Sequence, residues 1–447
     1  MKNLQQRYQE TLDYIYSYVD FSRTHQDDLK AENFDLDRMR SFLERLGHPQ
    51  EDYRSLHIAG SKGKGSVSAF CSSVLVESGY KTGLYTSPHL KDFEERIQIN
   101  HQPMPRADLV QLMDEMKPII ESIPRLTTFE IMTGMGYLYF SRQNIDIAVV
   151  EVGLGGRLDS TNVISPDVCV ITALYLDHTS ILGETLPEIA REKGGIIKPG
   201  IPVVMAPQRE EAAGVIREIA KIKDSTLVEV GRDFVFKALS ADLDGQTFFI
   251  GQTEKELEED GIQLTIPLLG DYQVENAAVA YAALQTLVEE GVDIGEEDIR
   301  RGFKSTLWPA RFEIARRHPP VIFDAAHNPA AMQKLRETVD QFFPDLPMVL
   351  VFGISEDKAL EGMFDVMLPR TDYLICTEAT HPRAMNAENM MEKATPFGVE
   401  GEVVKDVGNA LVSGLERAGE QDLVLVTGSI FVAASARIAW EERRLGS

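Results

Sequence analysis

One stretch restricts this chain more than any other. Residues 55–79 run from a short apolar segment through three glycines and a lysine into an amphipathic segment. Leu56 to Ala59 reads as a buried strand. Gly60, Gly63 and Gly65 make a loop that side chains would obstruct. Val67, Phe70, Cys71, Val74 and Leu75 recur at i, i+3, i+4, i+7 and i+8, one apolar face of a helix, and Gly79 is placed to end it. Strand, loop and helix start form a cradle for an anion. Backbone N–H groups and the positive helix end attract it, and Lys64 adds a full charge. Ser66 can offer its hydroxyl to a metal that accompanies phosphates. The strict Walker spacing is not met: Ile58 stands where its first glycine belongs, and Gly65 follows Lys64 in place of Ser or Thr. A glycine turn beside a solvated lysine is the plainer alternative. The flanking strand and helix favour a nucleotide site.

A chain of 447 residues is long enough for two or three domains. Its formal charge of −25 would repel nucleic acid and anionic lipid, so neither is expected as a partner. Cys71, Cys169 and Cys376 each lie in an apolar run, as buried thiols do in a reducing compartment. The first residues carry no apolar signal core. No apolar run approaches the ~20 residues of a membrane helix. A soluble, cytoplasmic protein acting on small molecules is expected, and a monomer.

Helical stripes cover residues 4–20 and 36–46. After the glycine loop, 81–90 reads as a short strand entering a turn, where Pro88 holds Ser87 extended. Thr127 with Glu130 forms a capping box ahead of an apolar helix, which by itself accounts for both residues. Asp146 to Val152 is a near-continuous apolar run, as in a central parallel strand. Glu151 interrupts it near the end where ligands of open α/β sheets lie. A carboxylate buried there needs a cation, so metal binding is favoured over an anion at the next helix start. Residues 168–174 form another buried strand leading to Asp177 and His178. A helix over 186–193 ends at Lys193, most simply a cation at a helix C-terminus. Residues 225–267 read as short antiparallel strands turning at Asp244-Gly245, an insertion on the first domain. An alanine-rich helix, Val274 to Leu287, carries Asn276. The chain passes to a second domain near Ser305. Strands are expected at 321–324, 347–352, 372–376 and 422–427, alternating with helices in a smaller parallel α/β domain.

In this order, the segments resemble the Mur ligase superfamily, within it the folylpolyglutamate synthase and dihydrofolate synthase branch. The motifs that carry the resemblance are Thr86–Leu90, Glu151–Asn162, Leu176–His178, Glu192–Gly200, Arg311–Glu313, Asp324–Pro329 and Thr427–Phe431. The resemblance implies an N-terminal P-loop-type, mostly parallel domain over 1–305 with the antiparallel insertion at 225–267. It implies a smaller Rossmann-like α/β domain over 306–447. It implies an ATP-dependent ligase that adds L-glutamate to dihydropteroate or to the glutamyl tail of reduced folates through an acyl phosphate. ATP, two Mg²⁺ ions and K⁺ are the implied cofactors.

Residue roles follow from the same resemblance. Gly60, Ser61, Lys62, Gly63, Gly65 and Ser66 would hold the ATP phosphates, with Lys64 neutralising the transferred group. Ser87, Glu151 and His178 would ligate magnesium, and Lys193 would carry a carbamate that does so too. Asn276, Arg311 and Asp324 would contact the nucleotide, and His327 the transferred phosphoryl. Thr127, Phe129 and Asp159 match the pterin-side positions. The chain departs from the pattern at Ser61 and Lys62, where Thr and Asn are usual. Ala310 and Ala325 replace glycines and Gly194 an alanine, changes that are tolerable if the backbone there has negative φ. A Mur-type ligase for another acceptor and a nucleotide-binding regulatory protein are the alternatives.

Overall fold

The computed structural model describes residues 3–20, 35–259 and 261–443. The chain divides into two compact units. One holds the residues up to Ser240 with Thr247–Pro267 and Gln273–Thr306. The other holds Ala241–Gln246, Leu268–Tyr272 and the chain from Leu307 onward.

The first unit is built on eight strands: β1 (Arg54–Ala59), β2 (Thr82–Tyr85), β3 (Ile97–Ile99), β4 (Gln102–Pro103), β5 (Ile147–Glu151), β6 (Val168–Ile171), β7 (Val203–Met205) and β8 (Leu227–Glu229). Their order is β4-β3-β2-β5-β1-β6-β7-β8. β2, β5, β1, β6, β7 and β8 pair in parallel, while β3 and β4 add an antiparallel edge. Every residue of β5 and β6 is buried. Helices cover both faces, which is why these strands read as unbroken apolar runs. Ala148 and Val150 of β5 join a cluster with Tyr85, Met135 and Phe140. Cys169 and Ile171 of β6 join a second with Ile196, Ile197 and Ile216. The helix Lys64–Glu77 follows the glycine loop and packs on the helix Glu296–Ser305. There Phe70 stacks on Phe303 at 5.2 Å, and a Cβ on Gly302 would lie 2.5 Å from Val74 Cα.

Strands β9 (Val235–Asp242), β10 (Gly245–Gly251) and β11 (Ile262–Ile266) form a separate sheet ordered β11-β10-β9. Asp244-Gly245 turns the hairpin as its sequence implies. The segment does not lie wholly with the first unit. Its turn, Ala241–Gln246, belongs to the second, where Asp244 pairs with Arg317.

The second unit carries β12 (Glu313–Arg317), β13 (Pro320–Phe323), β14 (Met348–Phe352), β15 (Tyr373–Glu378), β16 (Glu400–Asp406) and β17 (Leu423–Thr427), ordered β12-β13-β17-β14-β15-β16. β12 is antiparallel to β13, and all other pairs are parallel. The sequence pattern gave β13, β14, β15 and β17 and omitted the two edges. β12 and β16 are charged and partly exposed, so they lack an apolar run.

A buried polar chain ties β1 to the loop after β5. His57 is fully buried, with Nε2 2.9 Å from Thr161 Oγ1. That hydroxyl donates to Asp159 Oδ1 at 2.5 Å, so it accepts from His57 Nε2–H. His57 Nδ1 is left as a buried lone pair without a partner. Burial, and then the charge of Lys198, push His57 down to about 3. Between about pH 3 and 6.5 the unfolded chain therefore binds a proton that the folded chain refuses. Stability from this site is present above 6.5 and is lost as pH falls towards 3. At 1.36 kcal/mol per pKa unit, the unfolding free energies of wild type and His57→Gln should shift relative to one another by about 3–5 kcal/mol, in the variant's favour, between pH 7 and pH 3. Urea unfolding at stepped pH measures this; parallel pH profiles would contradict it.

Candidate active site

The glycine loop joins β1 to the helix Lys64–Glu77. Gly63 has φ +90°, and a Cβ there would lie 2.2 Å from Asn276 Oδ1. A Cβ on Gly60 would lie 1.8 Å from Thr172 Oγ1. Both glycines are demanded by these approaches. The loop is strapped to the segment after β6. The N–H groups of Ser61 and Lys62 donate to Ala173 O at 3.0 and 3.1 Å, and Ser61 Oγ donates to Tyr175 O at 2.9 Å. Asn276 is buried against Gly63, not exposed in a first turn, and its Nδ2 donates to Gln273 Oε1. Lys64 Nζ donates to Gly60 O at 3.1 Å. Lys62 forms an ion pair with Asp177 at 3.0 Å. The extra charge of Lys62 is thus offset by a neighbouring carboxylate. Ser66 is buried in the first turn of the helix.

Glu151 is the last residue of β5 and only 5% exposed. Ser87 N donates to its Oε2 at 3.2 Å, which brings these two candidate ligands together. His178 has φ +50°, with its N–H on Asp177 Oδ1 at 3.1 Å. Lys193 lies in the helix Leu186–Gly194 and is 4% exposed. Burial first, then the charge of Lys64, bring its amine down to about 7. Asp177 pulls the other way, Lys62 adds to the depression, and Asp159 opposes it. Lysines 62, 64 and 193 therefore share one field with Asp177. Arg157 docks the loop after Glu151 onto this helix. Its N–H donates to Glu192 O at 2.7 Å, and its guanidinium pairs with the Glu192 carboxylate. A Cβ on Gly156 would come 2.9 Å from the carbonyls of Glu192 and Lys193.

Among the described residues no group of three or more His, Cys, Asp and Glu side chains is gathered to hold a metal. The expected set has only Glu151 and His178 of that kind. Magnesium commonly takes one or two protein ligands and completes its shell with water and substrate phosphate. A buried carboxylate beside Ser87 fits that demand for hard oxygen donors.

The pterin-side residues divide. Thr127 caps the helix Thr128–Arg142 as expected, in a reciprocal box with Glu130. Glu130 is held by Arg38 Nε at 2.8 Å. Asp159 is buried, and both its oxygens serve its own loop. Oδ2 accepts from Leu154 N at 2.8 Å, and Oδ1 accepts from Thr161. Burial raises its pKa. Phe129 alone presents a half-buried ring, so close to Gly153 that a Cβ would meet its Cζ at 2.4 Å.

In the second unit, Arg311 sits between two non-glycine residues with positive φ, Ala310 at +57° and Phe312 at +48°. Such strain persists only where the surroundings over-determine it. Here Phe312 N donates to Asp324 Oδ2, Ala310 N donates to Glu313 Oε2, and Ala325 N donates to Ala310 O. Asp324 also accepts from Ala326 N, and burial raises its pKa while Arg311 opposes. His327 Nδ1 lies 2.9 Å from Ala325 O, so Nδ1 carries the proton. The expectation of negative φ fails at Ala310. Ala325 and Gly194 are not among the positive-φ residues.

Two family models cover most of the chain. The Mur ligase middle domain matches residues 58–284, and the Mur ligase glutamate ligase domain matches residues 310–430. The dihydrofolate synthase/folylpolyglutamate synthase of Bacillus subtilis is 35% identical over 90% of this chain and 94% of its own length. The chain belongs to the folylpolyglutamate synthase/dihydrofolate synthase branch of the Mur ligases. The folylpolyglutamate synthase of Lacticaseibacillus casei is 34% identical, over 96% of this chain and 98% of its own. Among solved structures, the Mycobacterium tuberculosis folylpolyglutamate synthase complexed with ADP superposes with a TM-score of 0.87 at 28% identity, covering 98% of each chain. The Escherichia coli FolC in complex with DHPP and ADP gives 0.84 at 29%, covering 97% of this chain and 98% of that one. Beside the residues that the resemblance assigns, the structure draws in Asp177, which pairs with Lys62, Arg157, which docks the loop after β5, and the buried Arg96. Arg96 follows two glutamates and so reads in sequence as part of a surface charge run. Its burial is what marks it.

Gly63→Ala should weaken ADP binding at least 100-fold while the chain stays folded, because Asn276 and the loop cannot both keep their places; calorimetric titration of ADP checks this, and unchanged affinity would contradict it. Ala310→Gly should raise the unfolding free energy by about 1 kcal/mol through relief of left-handed strain, read from chemical denaturation.

Proposed function

We propose that this chain joins the amino group of L-glutamate to the carboxylate of dihydropteroate, of reduced folates, or of both, with conversion of ATP to ADP and phosphate. The observation that carries this reading is the buried amine of Lys193, which burial and then the charge of Lys64 bring down to about 7. An amine that is about half neutral at pH 7 can attack carbon dioxide, lose a proton and become a carbamate. The product is an anionic oxygen donor in place of a cation.

The substrate carboxylate attacks the γ-phosphorus of ATP, and ADP leaves. The acyl phosphate then has a good leaving group where the carboxylate had none. Glutamate's free amine adds to the acyl carbon, and phosphate is expelled from the tetrahedral intermediate. The protein's part is positioning and charge neutralisation. The N–H groups at the start of the helix Lys64–Glu77, together with Lys64, would take the phosphates. Ser66, Ser87, Glu151, His178 and carbamylated Lys193 would hold magnesium, which when bound offsets charge on the transferred phosphoryl. In the second unit, Arg311 and Asp324 take nucleotide contacts and His327 the phosphoryl, as the family pattern implies. Phe129 offers its ring to the pteridine, while Thr127 and Asp159 fix the backbone around it.

Labelled glutamate incorporation, with dihydropteroate and tetrahydrofolate as separate acceptors, tests the assignment. Incorporation with either acceptor is expected, and none with both would overturn it. Lys64→Ala should lower the rate by about 10²–10³-fold. Lys193→Ala should lose activity and regain part of it with added short carboxylates; full activity without them would remove the carbamate from the account.

A further inference from the structure

Arg96 lies beside the site and has no place in the scheme above. It immediately precedes β3, whose Ile97 pairs with Tyr85 of β2. Its carbonyl accepts from Thr86 N at 3.0 Å. It therefore stands across the ladder from Thr86, next to Ser87, whose N–H reaches Glu151. Arg96 is 8% exposed. Its Nε donates to His89 Nδ1 at 2.7 Å. Nδ1 accepts that N–H, so the ring is neutral with its own proton on Nε2. It offers Arg96 a lone pair and no charge.

The acids of its own stretch are committed elsewhere. Glu94 takes Tyr8 and Arg106, and Asp92 takes Arg106. Glu95 accepts the N–H groups of Leu90, Lys91 and Asp92. Among the described residues Arg96 has no carboxylate within 4.0 Å. A buried guanidinium without a counter-ion is unfavourable, and none of the described residues supplies its anion. The surroundings of Tyr85 locate the cation. Arg96, Asp159 and Glu151 all act on the Tyr85 hydroxyl, and the Phe129 ring lies 6.4 Å from the Tyr85 ring. Arg96 thus shares the Phe129 and Glu151 side of the site, while Lys62 and Lys64 belong to the glycine loop.

We propose that Arg96 binds the carboxylate of the pteridine acceptor, with the terminal Nη groups forming the fork and His89 fixing Nε. The proposal rests on the folate-ligase reading. Dihydropteroate is the discriminating probe because it has a single carboxylate. Calorimetric titration with dihydropteroate and, in parallel, with ADP should be run on wild type, Arg96→Gln and Arg96→Lys, together with thermal melts of each. In Arg96→Gln, dihydropteroate binding should weaken about 10- to 100-fold, with ADP affinity within twofold. The melting temperature of the ligand-free variant should rise, because an uncompensated charge is gone. Arg96→Lys keeps the charge and should recover part of the affinity, which serves equally if the glutamine variant fails to fold. Unchanged dihydropteroate affinity in folded Arg96→Gln would overturn the proposal and leave the ligase reading standing. So would a selective loss of ADP binding, which would assign the cation to phosphate. A lower melting temperature with both ligands weakened would make Arg96 structural. Wild type that binds ADP but neither dihydropteroate nor tetrahydrofolate would overturn both.

Discussion

Two close approaches, Thr172 on Gly60 and Asn276 on Gly63, hold the phosphate end of the first unit in shape. Each presses a polar side chain against backbone that has no room for a Cβ. The loop between them cannot relax outward, because Ala173 and Tyr175 carbonyls tie Ser61 and Lys62 down. Those ties use the N–H groups of Ser61 and Lys62, and leave the N–H groups at the start of the helix Lys64–Glu77 for an anion. Such preorganisation is where most electrostatic catalysis resides.

Charge is placed around that loop with the same economy. Glu151 is buried at a strand end, and Lys193 is buried at a helix end. Each would be unfavourable alone in a dry interior. The loop after β5 brings them into one region, since Gly156 and Arg157 dock on the carbonyls of Glu192 and Lys193. Asp159 folds that loop from within and links it through Thr161 to His57 in β1. The polar chain from His57 to Leu154 is therefore support for the site, built of groups that never need to meet substrate. In the second unit the same principle appears as strain. Arg311 is presented by two left-handed residues that Asp324 and Glu313 hold in place.

Much of this was readable from the chain. β1, β5 and β6 are buried on both faces and so declare themselves as apolar runs, and Gly60, Gly63 and the Thr127–Glu130 box follow from local stereochemistry. The edge strands β12 and β16 were hidden, because a partly solvated charged strand has no periodic signature. The hairpin turn at Asp244 was legible, but not its membership of the second unit, which depends on partners such as Arg317, 73 residues away. The donors that Asp159 accepts from inside its own loop, Leu154 N and Thr161, could not be seen in sequence. Arg96 shows the converse. Only the full set of its neighbours reveals a buried cation whose anion the described chain does not supply.

The central claim is that a substrate carboxylate oxygen is passed to the γ-phosphoryl of ATP before the amide forms. Dihydropteroate labelled with oxygen-18 in its carboxylate, turned over with ATP and glutamate, tests it by mass spectrometry of the released phosphate. The account predicts one labelled oxygen in each phosphate formed. Phosphate free of label, alongside a formed amide, would contradict it.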